Sequence, residues 1–235
     1  MHVIGIKTPI FLENNSLADF IKKHVFGLQS GDILVVTSKI VALSEGRTGK
    51  IEEKNKLIFK ESKKVIETPW AFLTLNDEGW GINAGIDESN AEKKLIMLPK
   101  NSFETAKNLQ KIIKKHYSLK KFGVLITDTR SVSLRVGTVG RALGFAGFEP
   151  IKSYIGKKDL FGRKSRVTKS NHADGLAAAA VLVMGEGNEQ IPFVIIKNAP
   201  VKFTARTISK KSRKLALEPE KDIFSNIFTS NENQK

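Results

Sequence analysis

The sequence predicts a mixed α/β fold, with strands and helices interspersed along the chain. Three observations carry that expectation. Strand-length apolar runs alternate with segments of helical apolar spacing, two of the runs are apolar at consecutive positions, and a strand-like run returns after the last helix. In order, residues 2–6 read as a first strand, with Lys7-Thr8-Pro9 as its exit loop. Ser16, three residues before Asp19, caps a helix that places Leu17, Phe20, Ile21 and Val25 on one face. Gly31-Asp32 turns the chain into Ile33-Leu34-Val35-Val36, a strand buried on both faces. Residues 71–75 and 80–84 form a hairpin around Asn76-Asp77-Glu78-Gly79. Asn101 with Glu104 opens a second amphipathic helix carrying Phe103, Ala106, Leu109, Ile112 and Ile113. Residues 122–126 are a second buried strand, ending in Thr127-Asp128-Thr129. Asn171 with Asp174 caps an Ala-rich helix that reaches Met184 and stops at Gly185. Residues 193–196 are the late strand. The tail is polar and basic from Lys210, until Ile223-Phe224 and Ile227-Phe228 supply apolar pairs able to dock on the body.

Composition bounds what such a fold does. A chain of 235 residues suits one large domain or two interlocked small ones, and either buries a sizeable core. The absence of cysteine excludes disulfides, zinc–thiolate sites, iron–sulfur clusters and thiol nucleophiles together. No apolar run approaches the roughly 20 residues that cross a bilayer, and no signal-peptide pattern opens the chain, so a soluble, cytoplasmic protein is expected. The net charge of +15 suggests nucleic acid at first. However, only 8 of the 39 basic residues are Arg, the residue that base and bidentate phosphate recognition favour. The Lys residues are dispersed in pairs, and only Lys210-Lys211-Ser212-Arg213-Lys214 is dense. The excess reads mainly as a solvated basic surface, with polyanionic small molecules as its functional use.

Four segments carry polar residues where a plain core would not. Thr37-Ser38-Lys39 leaves the first buried strand, followed by Ser44-Glu45-Gly46-Arg47, and such hydroxyls and cations suit phosphate oxygens. Residues 81–90 hold two close glycines and then Asp87 and Asn90, oxygen donors three residues apart. Thr127-Asp128-Thr129 sets a carboxylate between hydroxyls, suited to Mg²⁺ beside a polyphosphate, and Arg130, Arg135 and Arg141 follow among glycines. Residues 184–191 form a glycine-flanked acidic loop in which Glu186 offers a third carboxylate. Each segment alone also reads as an ordinary turn or cap. No Walker A loop, dinucleotide GxGxxG, nucleophile elbow or His metal spacing appears. Together the segments point to metal–nucleotide chemistry.

In their order these segments resemble the coenzyme F420-0:γ-glutamyl ligase family. The resemblance is carried by Gly31-Asp32-Ile33-Leu34-Val35-Val36-Thr37-Ser38-Lys39-Ile40-Val41, by Ser44-Glu45-Gly46-Arg47 and above all by Asn83-Ala84-Gly85-Ile86-Asp87-Glu88-Ser89-Asn90. Ile126-Thr127-Asp128-Thr129, the 156–163 segment and Ala173-Asp174 through Met184-Gly185-Glu186-Gly187 continue it over about residues 1–200. It implies an enzyme that uses GTP or ATP to turn an acceptor carboxylate into an acyl phosphate and joins that to the amine of L-glutamate. Two Mg²⁺ or Mn²⁺ ions and K⁺ are implied with it. By matching position, Asp87, Asp128, Thr129 and Glu186 resemble the metal ligands. Lys7, Thr8, Pro9, Ile10, Ser38, Lys39, Asn90, Met184, Gly185, Gly187 and Ile191 resemble the nucleotide site. Asp87, Asp128, Arg130 and Arg135 are the expected catalytic group, and Lys39, Arg47, Arg130 and Arg135 the cations set against triphosphate and acceptor.

The chain departs from the family pattern at two places. Leu43 stands where many members have Lys, and Arg130-Ser131-Val132-Ser133-Leu134-Arg135 stands where a Gly-Arg pair follows Thr-Asp-Thr. The second resembles a branch directed to folate, which makes a folate the expected acceptor and F420-0 the alternative. A non-catalytic nucleotide- or polyanion-binding protein is the alternative of another class. The resemblance also implies two interleaved lobes, residues 1–85 with 190–235 and residues 86–189, and an intertwined homodimer.

Overall fold

In the computed structural model, which describes residues 1–205, 215, 217 and 219–226, helices cover both faces of one mixed sheet. The basic cluster 210–214 and the apolar pair 227–228 lie outside the described residues. The elements run β1 (His2–Ile6), α1 (Leu17–His24), β2 (Asp32–Thr37), α2 (Ser38–Ser44), β3 (Thr48–Lys50), α3 (Lys54–Lys60), β4 (Lys64–Glu67), β5 (Phe72–Asn76) and β6 (Gly79–Ile82). They continue with β7 (Lys94–Ile96), α4 (Ser102–His116), β8 (Phe122–Ser131), β9 (Thr138–Ala146), β10 (Ile151–Ser153), β11 (Lys169–Asn171), α5 (His172–Met184) and β12 (Phe193–Lys197). The helix starts follow from local chemistry. Ser16 Oγ accepts the Asp19 N–H, Asn101 Oδ1 that of Glu104 and Asn171 Oδ1 that of Asp174, each satisfying an amide that the first turn leaves free. Among the described residues no helix is long and apolar enough to cross a membrane.

The central sheet has the order β1-β12-β2-β8-β9, with β2 and β8 parallel and the other neighbours antiparallel. Alternation along the strands splits the core in two. Leu34, Val36, Val124, Ile126, Phe193 and Ile195 pack against α1, α2 and α4 on one face. Ile33, Val35, Leu125, Val194 and Ile196 pack against α5 on the other. A smaller unit hangs between α2 and α4. The β3–β7 ribbon and the β4-β5-β6 meander enclose Ile58, Ala84, Ile86, Leu95 and Met97.

The sequence reading ends the second buried strand at Thr127-Asp128-Thr129, whereas β8 continues to Ser131 and pairs from Val124 onward with β9, a stretch to which that reading assigns no element. The reason is a register shift. Ile126 faces Gly144 but Thr127 faces Ala142, so Leu143 is an extra residue on β9. Beyond this bulge the β9 side chains change faces: Leu143 packs in the α4 core, while Ala142 and Phe145 pack in the α5 core. Gly144 therefore lies under α4 and Gly140 under α5, where a methyl group would meet Ser102 backbone at 2.4 Å and Ala177 O at 2.5 Å. Asp174 of α5 closes the bulge by accepting the Ala142 N–H at 2.9 Å. Because the clash at Gly144 is with backbone, Gly144→Ala is expected to destabilise the protein by about 1–3 kcal/mol, seen as a lower urea midpoint at unchanged slope.

Candidate active site

β2 and β8 end side by side, and a cavity of about 610 Å³ opens at their C-terminal ends, where open α/β sheets commonly bind ligands. Three further pieces of chain close it: the exit from β1, the segment after β6 and the loop after α5. Thr8 N–H donates to Gln190 O at 3.0 Å, and Asn90 Nδ2 to Gly187 O at 2.9 Å, so the pieces are tied to one another. The segment after β6 enters through three consecutive left-handed residues, Asn83, Ala84 and Gly85, at φ 51°, 56° and 75°. Such a conformation costs a non-glycine residue about 1–2 kcal/mol. It is held by Asn83 Oδ1 accepting from Phe72 N and by Thr74 Oγ1 accepting from Ala84 N. The strained turn delivers Asp87 to the cavity.

Inside, the hydrogen bonds converge on the carboxylates. Ser38 Oγ donates to Asp128 Oδ1 at 2.9 Å. Lys39 Nζ pairs with Asp87 Oδ2 at 2.7 Å and also donates to Ser89 O and Ser89 Oγ. The Ser89 N–H and hydroxyl both donate to Asp87. The lining holds five acids, Asp87, Glu92, Asp128, Glu186 and Glu189, against one cation, Lys39. Burial pushes the Asp128 carboxyl above the ordinary carboxylate range, against the Arg141 charge, the Ser38 hydroxyl and the Thr129 N–H. Burial and then the charges of Asp128 and Asp87 do the same to Glu186, with Lys39 and the Thr129 hydroxyl opposing. Burial acts on Asp87 too, but Lys39 and Ser89 outweigh it and hold that carboxyl low.

Of the residues expected from sequence, Thr8, Pro9, Ile10, Ser38, Lys39, Asp87, Asn90, Asp128, Thr129, Met184, Gly185, Glu186, Gly187 and Ile191 line the cavity. Lys7, Arg130 and Arg135 are exposed and outside the lining. Arg47, expected to face phosphate, is engaged elsewhere: its guanidinium forks onto the Glu61 carboxylate and its Nε donates to Leu98 O. Sequence reasoning missed Glu78. It lies in the β5–β6 turn beside the buried Arg141, and burial first, then the charges of Asp77 and Asp128, raise its carboxyl. No local pattern marks that contact, because Glu78 and Arg141 are 63 residues apart.

The donor set fits hard divalent cations. An anionic polyphosphate could not enter a cavity of five acids and one ammonium without positive charge to accompany it. Among the described residues no three His, Asp or Glu side chains stand close enough to form a ready-made metal cluster. The acids are gathered, and Lys39 covers one of them.

The raised Asp128 pKa has a consequence for stability. Its folded state holds the proton more tightly than the unfolded one, so this group costs stability as pH rises from about 4 through the folded pKa. Asp128→Asn is expected to melt higher than the parent at pH 7 in the presence of chelator, with the difference vanishing near pH 4. Calorimetry from pH 4 to 8 measures it.

The family model for F420-0:gamma-glutamyl ligase matches residues 5–198. A protein of Methanocaldococcus jannaschii named coenzyme F420:L-glutamate ligase is 33% identical over 249 residues, covering 96% of this chain and 97% of that protein. One of the same name from Methanosarcina mazei is 35% identical over 227 residues, covering 88% and 89%. Another, from Archaeoglobus fulgidus, is 34% identical over 215 residues, covering 82% and 85%. The match spans β1 to β12 and takes in every segment that builds the cavity. The chain is therefore a ligase that belongs to the F420-0:γ-glutamyl ligase family.

Proposed function

We propose that this cavity joins L-glutamate to the carboxylate of F420-0 or a close analogue, in a reaction driven by GTP or ATP. The observation that carries the reading is the meeting of residues 37–39, 87–90, 127–129 and 184–191 in one acidic cavity at the ends of β2 and β8. The relatives supply the acceptor, since their names specify coenzyme F420 and L-glutamate. The folate expectation drew on Arg130 to Arg135, but Arg130 and Arg135 are exposed and outside the lining, so they give folate no advantage at this site.

In this reading an acceptor carboxylate oxygen attacks the γ-phosphorus and nucleoside diphosphate leaves. The glutamate amine then attacks the acyl carbon, inorganic phosphate leaves and the amine loses a proton. Asp87, Asp128 and Glu186, with the Thr129 hydroxyl, are the residues that would hold two Mg²⁺ or Mn²⁺ ions. Bound there, such ions would neutralise the charge that develops in phosphoryl transfer. Ser38 orients Asp128. Lys39 is a compact cation beside Asp87, free to exchange that contact for a phosphate oxygen. The 184–191 loop and the β1 exit cover the acyl phosphate and slow its hydrolysis. The chain is read as a homodimer, with Leu134 and Val136 at the exposed β8–β9 tip among the side chains that a second copy would cover.

Incubation with F420-0, L-glutamate, K⁺, Mg²⁺ or Mn²⁺ and GTP or ATP is expected to yield nucleoside diphosphate and an acceptor heavier by glutamyl units. Tetrahydrofolate serves as the parallel acceptor, and turnover with folate alone would reverse the acceptor assignment. Asp128→Asn is expected to lose more than about 100-fold in turnover, since residues that merely support metal ligands already cost 10–100-fold. A cation-dependent rise in melting temperature should accompany the parent and shrink in the variant. No diphosphate release with either acceptor refutes the ligase reading of this cavity.

A further inference from the structure

Asp87 and Asp128 reach the cavity from separately built parts of the molecule. Asp128 is on β8 of the central sheet, while Asp87 follows β6 of the smaller unit. Their spacing therefore depends on how the smaller unit is seated against β8. Arg141 occupies that seam. It stands directly opposite Asp128 in the β8–β9 register, on the same face of the ladder, and is only 6% exposed. Its guanidinium donates from Nη1 to the carbonyl of Glu78, in the turn between β5 and β6, at 3.1 Å, and its charge acts on Asp128. Nε is buried and has no hydrogen-bond partner among the described residues.

This arrangement is poorly explained by stability. Among the described residues Arg141 forms no close ion pair and its Nε is unused, so its charge acts on Asp128 and Glu78 only at longer range, and a buried guanidinium so incompletely paired contributes little to the fold. The other bonds crossing to the smaller unit near the cavity, from Lys39 to Asp87 and Ser89 and from Asn90 to Gly187, are largely exposed, and the Arg141 bond is the sheltered one.

We propose that Arg141 is a positioning residue of the ligase reaction: it pins the Glu78 turn against β8 and so sets Asp87 at its working distance from Asp128. The proposal rests on the function proposed above for this cavity. Its structural half, the tether, stands on the seam alone. A guanidinium suits the task because its rigid fork fixes direction as well as distance, whereas an ammonium holds only a point contact.

The test uses the full chain as parent, Arg141→Met and Arg141→Lys. In amide hydrogen exchange, Arg141→Met is expected to speed exchange across 72–90 and leave 32–37 as in the parent. In the ligation assay its kcat is expected to fall about 10–100-fold with little change in KM for nucleotide, as for loss of a group supporting a metal ligand. Arg141→Lys is expected to recover part of both. Unchanged exchange in 72–90, or an unchanged kcat, overturns the proposal. So does loosening that extends to 32–37 with no recovery by Lys, which marks a merely structural role. If the parent itself makes no glutamyl product from any acceptor, the functional reading fails, and the exchange comparison still decides whether Arg141 is the tether.

Discussion

The extra residue on β9, Leu143, is the constraint on which the arrangement depends. Two helices, α4 and α5, must both lie close against the same edge strand, and a regular strand would offer small residues to only one of them. The bulge changes the facing of β9 part way along, so that Gly144 receives α4 and Gly140 receives α5. It also bends the β8–β9 pair as it leaves the sheet. The last turn of α5 and the loop after it then come to the same end of the sheet as the extension carrying Asp128. Asp174, closing the bulge from α5, ties that geometry to the helix start. A site built from strand ends, a helix exit and an inserted unit would otherwise have no common origin.

Charge is distributed against the average. The chain carries a net +15, yet its cavity presents five carboxylates and one ammonium. The surface lysines are screened by solvent and salt within about 10 Å. The cavity charges are not, because burial raises both Asp128 and Glu186 and each acid disfavours its neighbour. In the proposed reaction such a cavity would take cations first and phosphates second. Lys39 keeps Asp87 ionised meanwhile, and an ammonium suits this role, since one point charge touches the Asp87 carboxylate, the Ser89 carbonyl and the Ser89 hydroxyl together.

What could be read in the sequence was what local chemistry decides. The caps at Ser16, Asn101 and Asn171 join residues three apart, and the 33–36 run is apolar on both faces, so spacing alone revealed them. The polar segments that line the cavity were legible because hydroxyls and carboxylates at strand ends conflict with a plain core. The strand β9 was not legible, because glycines interrupt its apolar pattern and the bulge breaks its alternation. Arg47, Arg130 and Arg135 stand apart from the cavity lining for a related reason. An arginine near a site in sequence advertises phosphate binding, but Glu61 takes Arg47 through a contact 14 residues distant, and the other two sit on the exposed extension. Glu78 and Arg141 are informative only as a pair, and nothing local joins them.

The strained turn and the buried arginine express one physical requirement. The smaller unit has its own sheets and its own apolar cluster, and in a site of the proposed kind errors near 1 Å in placement cost about 100-fold in rate. The molecule limits such errors at two points on the unit. Asn83-Ala84-Gly85 holds the approach of Asp87 in a conformation that L residues avoid, so the surrounding hydrogen bonds define a single path. Arg141 holds the opposite side of the unit at Glu78, across the ladder from Asp128. Neither feature contributes much stability on its own. Both are placed where they constrain the two acids that enter the cavity from different directions, and that shared placement is the reason to read them as positioning devices for the proposed site and not as defects of the core.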